Sequence, residues 1–97
     1  MKREQAVNRL QQNQAYLSEH YHIASLTLFG SVARDEGRAD SDIDILVEFI
    51  QPVGLFLFIE LKQRLEEILG CKVDLGTPRS LKPSIKDQVL REAIRVT

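Results

Sequence analysis

Leu28-Phe29-Gly30-Ser31-Val32-Ala33-Arg34, a short polar loop, then Ser41-Asp42-Ile43-Asp44-Ile45-Leu46-Val47: this stretch decides how the chain is read. It holds a glycine-serine pair at the end of an apolar run, ten intervening residues, and two aspartates one residue apart. Apolar and acidic residues alternate from Asp42 to Phe49, the pattern of a strand with one face in a core and the other in solvent. Ile43, Ile45, Val47 and Phe49 share one face. Asp42, Asp44, Leu46 and Glu48 share the other.

Two aspartates at i and i+2 on a strand stand roughly 6–7 Å apart at their Cα atoms. Their carboxylates can converge on a divalent cation, and hard cations such as Mg²⁺ take oxygen ligands and bind substrate phosphates. Glycine lets backbone approach a phosphate closely. A helix beginning at Ser31 would add N–H donors, and the serine hydroxyl one more. Arg34, one turn on, could reach a phosphate or brace the acidic loop. Asp74 lies in Lys72-Val73-Asp74-Leu75, a second alternating segment. If the two strands are neighbours, Asp74 becomes a third acid beside Asp42 and Asp44. Three close carboxylates repel without a cation, so such a cluster implies a metal. The third acid could complete the metal site or accept a proton from an attacking hydroxyl.

Each part alone has a plainer explanation. Asp-x-Asp is commonly a turn or a solvated face, Gly-Ser a turn and helix cap, and Arg34 a surface ion pair. The conjunction carries the weight, because Gly-Ser-x10-Asp-x-Asp arises by chance in roughly one chain of this length in a thousand. The Gly-x4-Gly-Lys-Ser/Thr pattern of a P-loop is missing. His20 and His22 flank Tyr21 with no sign of a zinc set.

The rest of the chain frames that site. Residues 2 to about 20 are expected to form one helix with a thin apolar stripe of Val7, Leu10, Leu17 and Tyr21. Ser25 to Phe29 is a strand, Ser31 to about Glu36 a short helix, and Gly37 to Ser41 a loop. Leu55 to Leu69 is a helix ended by Gly70. Its Phe56-Leu57-Phe58-Ile59 turn is apolar nearly all round, with core burial as the default and a subunit interface as the alternative. Cys71 to Leu75 is a third strand with Cys71 turned inward. A last helix starts near Pro83 and runs through Ile94. The order is α-β-α-β-α-β-α, an α/β (α+β) class with a small mixed sheet flanked by helices. The 97 residues suit a single domain, residues 1–97. A net charge of −1 argues against direct binding to nucleic acid. One cysteine, no signal-peptide run and no membrane-length apolar segment point to a cytoplasmic protein with no membrane association. At this size a homo- or hetero-oligomeric partner is expected.

At these residues the chain resembles the minimal nucleotidyltransferases of the DNA polymerase beta superfamily. Gly30, Ser31, Asp42 and Asp44 match the Gly-Ser-x10-Asp-x-Asp motif, and Lys72-Val73-Asp74-Leu75 matches the third acidic strand. Leu81-Lys82-Pro83 with Glu92-Ala93 is similar as well, and the likeness runs from about residue 5 to 96. It implies that Asp42, Asp44 and Asp74 are catalytic and bind Mg²⁺. It implies that Gly30, Ser31, Arg34 and Ser41 hold the nucleotide, with ATP as substrate. Members of this size pair as antitoxins with HEPN-domain ribonuclease toxins, and some transfer AMP onto a toxin tyrosine. In similar proteins Gly often follows the arginine; here it is Asp35. Three activities follow: adenylylation of a partner toxin, neutralisation by stable binding with a vestigial site, or nucleotidyl transfer to a small molecule.

Overall fold

The computed structural model describes residues 1–36 and 42–97. The Gly37–Ser41 loop, and with it the assignment of Ser41 to the nucleotide, lies outside the described residues. The elements are α1 (Arg3–Gln12), α2 (Gln14–Tyr21), β1 (Ile23–Phe29), α3 (Gly30–Ala33), β2 (Ile43–Phe49), α4 (Leu55–Leu69), β3 (Val73–Gly76), α5 (Pro83–Glu92) and β4 (Ile94–Arg95). A 3-10 turn at Pro78–Ser80 joins β3 to α5. The strands form one mixed sheet in the order β3-β2-β1-β4. β1 is antiparallel to β2 and β4, whereas β2 and β3 are parallel. The parallel pair needs a crossover, and α4 supplies it.

One face of the sheet makes the core. Ile43, Ile45 and Val47 are fully buried, as are their β1 partners Leu28 and Leu26. Ala6, Leu10, Leu17 and Tyr21 from α1 and α2, and Leu61, Leu65 and Leu69 from α4, close over them in one cluster. The three α4 leucines recur every four residues, the spacing of a single helix face. Gly70 ends α4 at φ +72°, a left-handed conformation that suits glycine. Its N–H donates to the Glu66 carbonyl at 2.8 Å, and Arg9 Nη1 donates to the Leu69 carbonyl at 3.0 Å. The Glu66 side chain in turn accepts the Val73 N–H at 3.1 Å, so the end of α4 is tied to the start of β3.

Several expectations are corrected. The single N-terminal helix is broken at Asn13, whose Nδ2 donates to the Arg9 carbonyl at 2.8 Å. Asparagine competes for backbone groups in this way and interrupts helices. Strand three starts at Val73; Cys71 sits before it, partly buried against the core, and burial pushes its thiol up. The last helix stops at Glu92. Ile94 and Arg95 instead pair with Leu28 and Thr27, and Val96 N–H donates to the Leu26 carbonyl. Ile94, Val96 and Thr97 are β-branched, and β1 would otherwise present an unpaired edge. Leu55, Phe56 and Ile59 are exposed, Phe56 by 83%, so core burial of that turn fails for these three, although Leu57 and Phe58 pack on the core. Among the described residues no helix is long and apolar enough to cross a membrane.

Asp35 stands in the left-handed region at φ 60°, the conformation that the glycine of similar proteins would take without strain. Aspartate tolerates it better than most residues. Here its Oδ1 also accepts the Arg3 backbone N–H at 3.3 Å, which ties the start of α1 to the segment after α3.

Leu65 is fully buried, so Leu65→Ala should cost about 3 kcal/mol in urea unfolding. Phe56→Ala should stay within about 0.5 kcal/mol of the parent, because its ring is already in water.

Candidate active site

The site is built on the sheet face opposite the α1, α2 and α4 layer. β1 ends at Phe29, which lies across from Asp44 on β2; Asp44 in turn lies across from Asp74 on β3. Phe29, Asp44 and Asp74 therefore form one row across three strands. Core burial sets this row: with Ile43, Ile45 and Val73 inward, alternation sends Asp44 and Asp74 outward.

Gly30 turns the chain out of β1 at φ +72°. A Cβ there would collide with Asp44 Oδ2 and lie 3.1 Å from its Cγ. The glycine is required twice over, once for backbone conformation and once for room beside the carboxylate. The sequence suggests the phosphate reason; the structure adds Asp44 as the immediate neighbour. Ser31 follows, half-buried, in the single turn of α3. Ser31 and Gly30 are committed through their carbonyls, which accept the N–H groups of Glu36 at 2.8 Å and Arg34 at 3.2 Å. So short a helix has little macrodipole, and what it offers an anion is local N–H donors and the hydroxyl.

Electrostatics mark Asp44 as the centre. Burial, then the charge of Asp74, then that of Asp42, push its carboxyl up to about 6 from the ordinary 3.8. A hydrogen bond from the protonated form to Asp74 acts in the same direction, and Arg34 opposes it. The structure thus brings Asp44 beside Asp74 on one side and beside Gly30 on the other. Asp42 does not fully join them. β2 begins at Ile43, so Asp42 stands exposed just outside the strand, near enough for its charge to be felt. Among the described residues no three potential ligands are already gathered around a metal position. The donor set nevertheless fits a hard divalent cation: it is all carboxylate oxygen, and its mutual repulsion falls when a cation is bound.

Arg34 is held rather than dangling. Its Nη1 donates to Glu92 Oε2 at 2.9 Å and its Nε to Glu36 Oε2 at 3.2 Å. Sequence reasoning missed these partners. Glu36 carries no pattern, and Glu92, 58 residues from Arg34, becomes its neighbour only through the fold. His20 stacks on Tyr16 with ring centroids 4.0 Å apart and donates through Nδ1 to the Tyr16 carbonyl, which accounts for it without a metal.

A Gly-Ser turn beside a carboxylate pair on a mixed sheet is the arrangement expected of a nucleotidyltransferase domain. Comparisons with known proteins agree. The nucleotidyltransferase domain family matches residues 10–96. The protein adenylyltransferase MntA of Thermococcus cleftensis is 45% identical over 80 residues, 82% of this chain and 81% of its own. A solved structure described as a candidate minimal nucleotidyltransferase is 39% identical, with TM-score 0.79, covering 97% of this chain and 95% of that one. A chain in the complex of a tri-AMPylated Shewanella oneidensis HEPN toxin with an MNT antitoxin is 25% identical, with TM-score 0.65, covering 96% and 71%. The protein belongs to the nucleotidyltransferase domain family and is built on its minimal plan.

Two outcomes follow from this geometry. Gly30→Ala should destabilise the fold by about 2 kcal/mol or more, since it adds backbone strain to the collision with Asp44. In thermal melts without divalent cation, the raised Asp44 value means that the folded state holds a proton the unfolded chain has lost. Its stabilising contribution is full below pH 4 and is lost as pH rises through about 6. Asp44→Asn should therefore match the parent near pH 4 and melt a few degrees higher at pH 7.5. Adding Mg²⁺ at pH 7.5 should raise the melting temperature of the parent and leave that of Asp44→Asn little changed.

Proposed function

We propose that this chain is a protein adenylyltransferase antitoxin, which transfers AMP from ATP to a hydroxyl, a tyrosine, of a cognate HEPN-domain toxin and so neutralises it. The observation that carries the proposal is the placement of Asp44 between Asp74 and Gly30, with the Asp44 carboxyl raised to about 6. Two acids pressed together at a strand end cost stability, and a divalent cation bound between them would offset that repulsion. The acceptor and the antitoxin role are supported by the name of the Thermococcus relative and by the toxin complex in which a similar chain is found.

In this mechanism Gly30 and Ser31 bind the triphosphate through backbone N–H groups and the serine hydroxyl. Arg34 adds charge toward the phosphates. Asp42 and Asp44 would hold Mg²⁺, with Asp74 completing the set. When bound, Mg²⁺ neutralises phosphate charge and stabilises the leaving pyrophosphate. Asp74, the more exposed of the paired acids, accepts the proton of the attacking hydroxyl. A bond forms between the acceptor oxygen and the α-phosphorus, the bond from the α-phosphorus to the bridging oxygen breaks, and pyrophosphate carries that electron pair away. The net charge of −1 favours a protein acceptor over a polynucleotide end, and a cytoplasmic setting fits the single thiol.

A second mode has an observation in its favour. Leu55, Phe56 and Ile59 form an exposed apolar turn, a surface suited to stable binding of the toxin alongside catalysis. The two separate in one experiment. With labelled ATP, Mg²⁺ and the product of the neighbouring gene, the chain should label that protein. Asp42→Ala with Asp44→Ala should lower transfer at least about a hundredfold, more than the loss of an outer-shell group at a metal site. If the double variant still neutralises the toxin in cells, binding is the operative mode; if the unmodified chain transfers no label, the enzymatic proposal fails.

A further inference from the structure

We propose that Glu92 is a positioning residue which aims Arg34 at the nucleotide. The proposal rests on the reading of Gly30, Ser31 and Arg34 as a triphosphate site and extends it to a residue on the last helix.

The fold makes Glu92 a fixed point next to that site. It is the final residue of α5, and Ala93 then turns the chain into β4. There Thr27 pairs with Arg95 and Leu28 with Ile94. The ladder ends at the Leu28–Ile94 pair, two residues before Gly30 on one segment and two residues after Glu92 on the other. The backbone carrying Glu92 is thus anchored to the strand that delivers the glycine. Its carboxylate meets Arg34 Nη1 at 2.9 Å, with a side-chain exposure of 32% against 66% for Glu36, the other partner of the same guanidinium. Of the two carboxylates, Glu92 is the better shielded and makes the shorter bond.

Ion pairs between exposed side chains contribute little to stability, and this one need not. Its effect is on where a long, rotamer-rich side chain spends its time. An arginine carries five N–H donors in a rigid fork, and the two glutamates engage Nε and Nη1. Held there, Arg34 lies close enough to Asp44 for its charge to lower the carboxyl's pKa. A guanidinium already ordered beside the carboxylates loses less conformational freedom when a triphosphate arrives. Glu92 therefore strengthens nucleotide binding without touching the nucleotide.

The test is calorimetric titration of the full chain with AMP-PNP and Mg²⁺, for the parent, Glu92→Ala, Glu92→Gln, Arg34→Ala and the Arg34→Ala/Glu92→Ala pair. Glu92→Ala should weaken binding about three- to tenfold, the entropy of ordering one such side chain. Glu92→Gln, which keeps an oxygen acceptor for Nη1, should recover most of the loss. In the Arg34→Ala background Glu92→Ala should have no further effect. Unchanged or tighter binding by Glu92→Ala would overturn the proposal, the latter showing that the glutamate competes with the nucleotide. An equal loss in the Arg34→Ala background would overturn it too, since Glu92 would then act on the fold. If the parent itself does not bind AMP-PNP, the triphosphate reading falls and this proposal with it; in every other case that reading stands apart.

Discussion

The rest of the molecule depends on the register between β2 and β3. Ile43, Ile45 and Val47 must be inside, Val73 must be inside, and the parallel ladder puts Ile43 opposite Val73. The next pair in the ladder is then Asp44 opposite Asp74. A slip of one residue in either strand would send an aspartate into the core and an isoleucine or valine into water. The apolar face thus holds two like charges together against their own repulsion. The force comes from the leucines of α4 and α1 on the far side of the sheet.

The pairing of buried hydrophobic force with surface charge gives the site its character. Asp44 is a carboxyl in partly desolvated surroundings with another carboxylate beside it, and its proton affinity rises accordingly. Perturbed acids of this kind concentrate where proteins do chemistry. Gly30 belongs to the same arrangement, because the strand end that carries it has to pass close to Asp44. Gly30, at the end of β1, and Asp44, on β2, therefore come from adjacent strands of one sheet.

Much of this was legible from residues alone because its periodicity is strong. The Asp42–Phe49 alternation, the Leu55–Leu69 helix and the Gly70 stop are local patterns with one satisfactory structure each, and Asp74 on an outward position followed from the same alternation. What escaped was decided by tertiary contacts or by single side chains. Asn13 breaks a helix through a bond to Arg9 that apolar periodicity does not register. Ile94 fits a helical stripe as well as it fits a strand, and only the open edge of β1 chooses between them. The apolar run at Leu55 to Ile59 looked like core because hydropathy cannot tell a face that meets a sheet from one that meets nothing within the same chain. Arg34 could be assigned to the site, but its carboxylate partner Glu92 could not, since 58 residues separate them and no spacing rule links them.

The bond from the Val73 N–H to the Glu66 side chain has a consequence beyond capping. Val73 immediately precedes Asp74, so the last turn of α4 sets where that carboxylate begins. The crossover helix is then more than a connector between parallel strands: its last turn anchors the strand that carries an acid. Helix α4 starts at the exposed Leu55–Ile59 turn and ends at Glu66 to Gly70, so one stiff rod runs from that apolar surface to the start of β3. The exposed apolar turn and the placement of Asp74 share one element, about 22 Å long for its 15 residues.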